Sequence, residues 1–596
     1  MVTQKIEHLI TDHLDLWTSA VRPKSSAGRG SNSKLELIGI KKLRELILEL
    51  AVRGKLVPQD PSDEPASVLL ERIAAEKARL VKEGKIKKPK ALPEISEEDK
   101  PFELPQGWIW ERLSNISFFQ EGPGILAKDF RDTGVPLIRI SGIHGETVSL
   151  DGCNFLDEDV VSKKWDHFRL DKGDILLSSS ASLGKVAKVG DEATGSIPYT
   201  GLIRFKPFQG VFDEYLIRFF CAHEFVRQID NNKKGAAILH FGPTHLRRMI
   251  VPLPPFKEQH RIVAKVDELM ALCDQLELRS ESQLAAHQTL VETLLATLTN
   301  STDADELAQN WARLGTHFDT LFITEASIDA LKQTILQLAV MGKLVPQDPS
   351  DEPASALLER IAAEKAQLVK EKKIKKEKPL PAISEDEKPF ELPQGWEWCH
   401  LKDIITIMDA GWSPACPPES SPDIDTWGVL KTTAVQTLEY REYENKVLDT
   451  TKTPRPEYEV MVGDILITRA GPKNRVGISC LVEKTRPKLM ISDKIIRFHL
   501  VEVGLSERFI SLCLNAGATA VYIDDSKSGM AESQMNISQD KLKLAPIPLG
   551  PIKEQNHIMD RVDQLMTLCD QLKSRLQTSQ QTQLALAESL AEGALA

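Results

Sequence analysis

Two short motifs in the sequence have residue types and spacings that could do chemistry, and both are incomplete. Pro422-Asp423, followed by Glu444 and Lys446, matches a loose nuclease pattern of two carboxylates and a lysine around a metal, in one place only. Leu253-Pro-Pro-Phe256 resembles the Asn/Asp-Pro-Pro-Tyr/Phe motif of amino-methyltransferases, but Leu253 has no polar group to hold an amino group. We therefore interpret the second motif as a strand-to-helix joint.

Motifs for nucleotide and metal binding are also missing. The Gly-Lys pairs at 54, 84, 184 and 342 are followed by Leu, Ile, Val and Leu, whereas a phosphate-binding loop needs Ser or Thr there. The 13 histidines show no metal-ligand spacing, and the eight cysteines form no Cys-x-x-Cys pair. The sequence therefore predicts a chain without a catalytic centre, metal site or cofactor of its own.

The composition predicts a folded cytoplasmic protein. Of 596 residues, 41% are hydrophobic and 27% are charged, which is ordinary for a globular chain. No apolar run approaches the roughly 18 residues that cross a bilayer, and residues 1–8 lack a signal-peptide core. The net charge of −11 argues against strong nucleic-acid binding by the chain alone.

A long internal repeat determines the predicted architecture. Residues 54–67 recur letter for letter at 342–355, and residues 100–108 recur at 388–396, both 288 positions later. Lys257-Glu-Gln259 returns as Lys553-Glu-Gln555, 296 positions later. Such repeats mark duplicated structural units.

The two stretches enclosed by the repeat have diverged. Residues 109–251 and 397–545 share only islands such as Gly173-Asp-Ile-Leu176 with Gly463-Asp-Ile-Leu466, and Leu202–Phe205 with Ile495–Phe498. Short β-rich runs and helical stretches predict a compact α/β domain in each. A constant frame with two different inserts favours two reading heads.

Heptad spacing predicts long helices after each Lys-Glu-Gln motif. Apolar residues follow one another at steps of four and three, which is typical of helices packed side by side. The predicted seam positions are Ile262, Val266, Leu269, Cys273 and Leu276, then Ile558, Val562, Leu565, Cys569 and Leu572. Cys273 and Cys569 are interpreted as packing residues. Further helices are predicted at about 35–53, closed by Gly54, and at 66–83 and 354–371.

Together these features resemble the specificity subunit of type I restriction–modification enzymes. The resemblance rests on Leu50–Pro61 and on Glu-Leu-Pro-Gln-Gly-Trp at 103–108 and 391–396. It also rests on the proline-containing segment by which the chain leaves each insert before Lys-Glu-Gln. It spans nearly the whole chain, including the order of frame, insert, frame, insert and helix.

The resemblance implies a fold class and a domain plan. The class is α+β, with two α/β target-recognition domains separated by long antiparallel coiled-coil helices and related by an internal pseudo-twofold. The predicted segments are an N-terminal segment (1–34), frame A (35–107), recognition domain 1 (108–256), a central helical frame (257–395), recognition domain 2 (396–552) and a C-terminal helix (553–596).

The resemblance also implies a function and partners. Each recognition domain would read one half of a bipartite, asymmetric site in double-stranded DNA. Two modification subunits would supply S-adenosylmethionine-dependent adenine methylation, and two restriction subunits would supply ATP- and Mg²⁺-dependent translocation and cleavage. This chain would be a non-catalytic subunit without a cofactor.

Polar loops and nearby cations are the candidate DNA-binding residues. Arg suits guanine, Asn suits adenine, and short hydroxyls and Lys suit phosphates. In the first insert the candidates are Arg139, Ser178, Ser180, Ser182, Lys185, Arg204, His245 and Arg247. In the second they are Lys431, Thr468, Arg469, Lys473, Asn474, Arg475, Gln534 and Asn536.

Two other classes stay open from the sequence. A coiled-coil scaffold that binds other proteins would use the heptad helices but leave the polar loops without a purpose. The specificity portion of a self-contained modification enzyme would need methyl-donor motifs that we do not find.

Overall fold

The computed structural model describes residues 8–23, 35–84, 86, 92–179, 185–233, 241–376, 378, 380–381, 383–385 and 388–595. The chain divides into two compact units of mixed helix and sheet. Unit 1 combines residues 1–283 with 578–596, and unit 2 comprises residues 284–577. The coarse prediction of a mixed fold is confirmed. The finer segment boundaries, the coiled coil and the pseudo-twofold remain predictions.

Three kinds of helix occur once in each copy of the repeat, which gives six named helices. They are the frame helices (Ile38–Val52 and Glu325–Val340), the side helices (Ala66–Lys82 and Ala354–Lys370) and the long helices (Phe256–Asn300 and Ile552–Leu595). The other helices are Leu14–Ser19, Leu113–Ile116, Glu158–Val160, Asp213–Cys221, His223–Lys233, Pro243–Leu246, Ala304–Thr316, Phe318–Leu321, Leu401–Ile404, Glu507–Asn515, Gly517–Asp525 and Gln539–Lys543. Helices Asp213–Cys221 and His223–Lys233 are separated at Ala222, whose backbone is extended. Gly54 closes the first frame helix with φ +66°, as predicted.

The strands are numbered in chain order. In unit 1 they are β1 Arg22–Pro23, β2 Leu35–Glu36, β3 Ile109–Arg112, β4 Ser117–Glu121, β5 Phe130–Arg131, β6 Val135–Ile138, β7 Asn154–Leu156, β8 Ile175–Ser178, β9 Val186–Lys188, β10 Ile197–Pro198, β11 Leu202–Pro207 and β12 Ile250–Leu253. In unit 2 they are β13 Glu397–His400, β14 Ile405–Ala410, β15 Gly428–Leu430, β16 Val435–Gln436, β17 Glu439–Tyr440, β18 Asn445–Val447, β19 Ile465–Thr468, β20 Ala470–Gly471, β21 Ser479–Leu481, β22 Leu489–Met490, β23 Ile495–Leu500, β24 Met535–Asn536 and β25 Pro546–Leu549.

The two inserts share a sheet plan although their sequences differ. Unit 1 has an antiparallel sheet of order β4-β11-β8-β9, and unit 2 has β14-β23-β19-β21. Each unit has a second sheet, of order β10-β6-β7-β5 in unit 1 and β18-β15-β22 in unit 2. Each of these contains one parallel pair, β6 with β10 and β15 with β22. The divergence therefore changed side chains and loops more than the framework of strands.

Each insert enters and leaves through one pair of antiparallel strands. β3 pairs with β12, so that Arg112 lies opposite Ile250, and β13 pairs with β25, so that His400 lies opposite Pro546. The next backbone bonds, Leu113 N to Met249 O and Leu401 N to Ala545 O, are both 2.9 Å. These junctions mark structurally where an insert begins and ends.

A buried hydrogen-bond network explains why three distant motifs repeat letter for letter. In unit 1, Glu258 accepts from Trp108 Nε1 at 3.1 Å and from Gln59 Nε2 at 3.2 Å. Gln259 accepts from Phe212 N and donates to Pro254 O. Because a buried polar side chain without a partner is costly, a change of Glu258 or Gln259 alone would leave a partner unsatisfied. Phe212 and Pro254 take part only through their backbone and can differ between the copies.

Unit 2 contains the same network. Glu554 accepts from Trp396 Nε1 at 3.0 Å and from Gln347 Nε2 at 3.1 Å, and Gln555 accepts from Ser506 N. Burial raises the pKa of Glu554 above its ordinary value, although both donors favour the charged form. The repeated letters therefore hold each insert to its frame.

The lysine of each frame's Gly-Lys pair binds carbonyl groups at the C-terminal end of a long helix. Lys343 Nζ donates to Ser301 O at 2.8 Å and to Thr299 O at 3.2 Å, at the end of the first long helix. Lys55 Nζ donates to Leu595 O at 2.7 Å, at the end of the second. A cation suits these positions because the last helical carbonyls carry partial negative charge.

Seven of the ten heptad positions are buried, and they pack against more than a second helix. Ile262, Val266, Leu269 and Cys273 are buried, as are Ile558, Val562 and Cys569, whereas Leu276, Leu565 and Leu572 are half-buried. In unit 2, Ile558 and Val562 join the core that contains the second insert, while Cys569 joins the frame helix and Val291, Leu295 and Leu298. Burial raises the pKa of the Cys273 thiol to about 11, in line with a packing role.

Among the residues that the structure describes, no helix is long and apolar enough to span a membrane.

Candidate nucleic-acid interface

One edge of the large sheet in unit 2 gathers the polar loops that the sequence analysis selected. β14 and β19 both run antiparallel to β23 and are therefore parallel to each other. Their carboxyl ends, Ala410 and Thr468, thus reach the edge where β23 begins at Ile495. We call residues 411–413, 455, 469–475, 493–494 and 527–536 the loop edge of unit 2.

Two segments far apart in sequence join at this loop edge. β20 pairs with β24, which places Ala470 opposite Asn536 and Gly471 opposite Met535. Lys473 N donates to Glu532 O at 2.7 Å, and Ile537 N donates to Arg469 O at 2.9 Å. The structure therefore brings the 468–475 candidates together with Gln534 and Asn536.

Four of these candidates present their side chains to solvent. Lys473, Asn474, Gln534 and Asn536 are exposed, and Arg469 is half-exposed. The set offers two cations and three carboxamides on loops held by backbone pairing. Such groups suit phosphate oxygens and base edges.

Thr468 and Arg475 face inward instead. Thr468 is fully buried, and its hydroxyl donates to the carbonyls of Arg475 and Ile478. Arg475 donates to Gln436 Oε1, Thr432 O and Val435 O at 2.8–2.9 Å, and burial lowers the pKa of its guanidinium. These contacts argue against DNA contact by either residue and assign them to holding the loop in shape.

Replacing neighbouring cations should separate these two roles. We expect Lys473→Ala to leave thermal stability unchanged. It should reduce the slope of log affinity against log salt concentration by about one, because one phosphate contact is lost. We expect Arg475→Ala to cost about 1–3 kcal/mol of stability, because three hydrogen bonds from a charged group are lost. Thermal unfolding together with affinity at several salt concentrations measures both effects. Equal stability losses in the two variants would contradict the assignment.

The structure describes only part of the corresponding loop edge of unit 1. Ser178 is buried, Lys185 is exposed, and Ser180 and Ser182 lie outside the described residues. Phe241 N donates to Ser179 O at 3.0 Å, the counterpart of the bond between Ile537 and Arg469 in unit 2. The two loops therefore occupy equivalent places.

The remaining unit 1 candidates differ in exposure. Arg247 is exposed, while His245 is half-buried and its ring lies 5.5 Å from that of Phe241. Arg139 is exposed, directly after β6, and donates to Asn154 Oδ1 at 3.3 Å. Its counterpart Lys431, after β15, is half-buried and lies 3.9 Å from Glu444. Arg139 and Arg247 are the better-placed candidates of this group.

The structure argues against DNA contact by Arg204. Its side chain is buried; it donates to Arg169 O at 2.6 Å and to Gln120 Oε1 at 3.1 Å, and lies 3.7 Å from Asp174. Arg497 repeats the arrangement, 3.7 Å from Asp464. The shared islands Gly-Asp-Ile-Leu and Ile-Arg-Phe therefore contain an internal pair of aspartate and arginine. This pair stabilises the domain and is not placed to contact DNA.

The carboxylates of the loose nuclease pattern make local contacts. Asp423 Oδ1 accepts from the backbone of Asp425 and Thr426, and the Thr426 hydroxyl lowers the pKa of Asp423. Glu444 accepts from Thr433 Oγ1 at 2.8 Å. In the described part of the chain, no three His, Cys, Asp or Glu residues are grouped so as to hold a metal.

Trp412 and Arg455, which no sequence pattern marked as DNA-binding residues, meet at the loop edge. The Arg455 guanidinium lies 4.3 Å from the centre of the Trp412 ring. The residues are 43 positions apart and no local pattern links them, so that only the fold reveals the pair.

Sequence comparison defines the class of protein. The family model described as "Type I restriction modification DNA specificity domain" matches residues 105–286 and 393–579, one match for each insert and the helix that follows it. The chain therefore belongs to the family of type I restriction enzyme specificity subunits, which are DNA-recognition subunits.

Individual relatives match over the full length. The chain is 56% identical to the EcoEI specificity subunit of Escherichia coli, with 99% of this chain and 100% of the relative covered. It is 42% identical to the EcoAI specificity subunit of Escherichia coli, with the same coverage. Among solved structures, the HsdS subunit from Thermoanaerobacter tengcongensis overlaps at a TM-score of 0.40 and 17% identity, covering 83% of this chain and 98% of that one.

Proposed function

We propose that each unit of this specificity subunit reads one half of a bipartite, asymmetric DNA site. The observation that carries the proposal is one sheet plan bearing two different sets of loop-edge side chains. Unit 2 presents Lys473, Asn474 and Asn536, and unit 1 presents Arg139, Lys185 and Arg247. Different side chains on equivalent scaffolds select different bases, so that the two half-sites should differ.

The negative net charge of the chain indicates that partner subunits contribute to DNA binding. A net charge of −11 gives little general attraction to DNA, which depends on phosphate neutralisation. Local cations at the loop edges position the duplex, and further cations come from partner subunits. We propose two modification subunits, which hold S-adenosylmethionine, and two restriction subunits, which use ATP and Mg²⁺. This chain contributes no catalytic group or cofactor.

We also propose that the long helices pack antiparallel where they meet in unit 2. The second frame helix runs antiparallel to the second long helix, because Glu325 contacts Gln577 at 3.0 Å and Lys332 contacts Asp570. It runs parallel to the first long helix, since His287 contacts Thr320 O and Lys343 contacts Ser301 O. Segments 284–300 and 565–577 therefore oppose each other in direction.

Selection from random DNA tests the proposed function. The chain, purified with and without co-expressed modification subunits, is incubated with a random duplex library, and bound DNA is sequenced. We expect the complex to select one gapped motif with unlike halves. A protein-binding scaffold would select no motif, and a self-contained modification enzyme would methylate DNA without partners.

A further inference from the structure

We infer that Arg455 reads a guanine in the half-site bound by unit 2, with Trp412 as the residue that positions it. The inference rests on the proposed function, since it concerns the loop edge of unit 2. It adds a specificity-determining residue and the base that this residue would select.

Trp412 is fixed in place by its surroundings. It lies two residues after the end of β14, and its backbone N donates to Ile491 O at 3.1 Å. Its side chain packs against the buried cluster of Val429, Leu448 and Met490. At the preceding Gly411 a Cβ atom would collide with the Ile491 carbonyl, so that the close approach of the chain after β14 to the chain after β22 requires glycine.

Arg455 lies over this ring with its hydrogen-bonding capacity unused. The guanidinium is 4.3 Å from the ring centre, and the residue is exposed. Among the described residues, no hydrogen bond or ion pair involves its side chain. Stacking on an indole orients a planar guanidinium and leaves its donors available. A guanine offers O6 and N7, which two parallel N–H donors of arginine match.

Unit 1 has a related pair at its own edge. Arg139 lies 5.6 Å from the centre of the Tyr199 ring, and Tyr199 follows β10. At Gly122, the counterpart of Gly411, a Cβ atom would collide with the carbonyls of Pro198 and Tyr199. The strand approach is thus the same, but the aromatic residue comes from a different strand in each unit.

This difference favours a base over a phosphate as the target. The phosphate backbone is alike in both half-sites, so that a phosphate contact has no reason to differ between the units. A base contact must differ where the half-sites differ. An arginine held rigidly on an aromatic ring whose position differs between the units is therefore better suited to reading sequence than to neutralising charge.

The test compares variants of the chain in complex with its modification subunits. The variants are Arg455→Ala, Arg455→Lys, Trp412→Ala and Trp412→Phe, with Arg360→Ala as the control. Arg360 is an exposed arginine of the second side helix that pairs with Glu352, and neither residue belongs to the loop edge. Random duplexes are methylated with S-adenosylmethionine, the methylated motif is sequenced, and affinity is measured at several salt concentrations.

We expect Arg455→Ala to lose discrimination at one guanine by roughly 5- to 150-fold, with the other half-site unchanged. Arg455→Lys should retain part of it, because lysine lacks the planar fork. Trp412→Ala should relax the same position, and Trp412→Phe should restore it by providing a ring face. Arg360→Ala should match the wild type.

Two results would overturn the inference while leaving the proposed function intact. One is an unchanged motif in Arg455→Ala. The other is an equal loss of affinity for all sequences with a lower salt dependence, which would make Arg455 a phosphate contact. A wild-type complex without any gapped motif would overturn the proposed function and the inference with it.

Discussion

Exchanging residues 113–249 for the insert of a related specificity subunit is expected to replace one half of the recognised site and to leave the other half unchanged. Affinity for the original site should fall by at least roughly 10³-fold, toward non-specific binding, while the hybrid site is bound normally. The reason is that the loop-edge residues of unit 1 all lie within the exchanged stretch. Sequencing of DNA selected by the hybrid complex measures the result.

The junctions of this exchange follow the strand pairing. The cuts lie just inside β3 and β12, after the Arg112–Ile250 pair, so that Glu258 keeps its bonds to Trp108 and Gln59. The matched control exchanges residues 401–545 inside β13 and β25 and should replace the opposite half. Simultaneous change of both halves in either hybrid would contradict independent reading.

Removing the carboxylate of the buried network in unit 2 should strongly destabilise the fold. Glu554→Ala leaves the Trp396 indole N–H without its acceptor and weakens the bonding of Gln347. We expect a loss of about 3–4 kcal/mol, since a buried donor loses its partner and a cavity forms. Chemical unfolding of wild type and variant measures the loss. A loss below about 1 kcal/mol would show that the network is not needed.

Glu554→Gln provides the control and a pH dependence. The amide oxygen can still accept from Trp396, so that this variant should retain most of the stability. Burial raises the pKa of Glu554 in the folded protein, so the protonated carboxyl favours folding. That contribution is complete below the ordinary pKa of 4.5 and is lost as the pH rises through the raised pKa. The stability of Glu554→Gln relative to wild type should therefore improve from pH 4 to pH 8, and an opposite trend would contradict the pKa direction.

Periodic and repeated features of the fold could be predicted from the sequence. The side helices begin at the predicted residues, because Pro65 and Pro353 occupy the position before the first turn. They end at Lys82 and Lys370, one residue before the predicted ends. The long helices follow from heptad spacing. Their packing partners did not, because burial of an a or d position does not say which surface covers it. Ile558 contacts a recognition domain, whereas Cys569 contacts a frame helix.

The candidate site was predictable at the level of loops but not of individual side chains. Residue type alone placed Arg204 and Arg475 with Lys473, yet both arginines bond inward and Lys473 faces solvent. An arginine near a strand end can serve either role, and the choice depends on carbonyls distant in sequence. The repeat contained a usable signal, since Arg204 and Arg497 lie in islands shared by both inserts. Shared positions serve the common scaffold, and reading residues are those that differ.

The most direct test of the account is a methylation map of DNA from cells that express this chain with its modification subunits. Long-read sequencing reports modified adenines across the whole genome. We expect one gapped motif with unlike halves, methylated on both strands and absent when the chain is deleted. A palindromic or ungapped motif, or methylation that persists without the chain, would contradict the claim that its two units read two different half-sites.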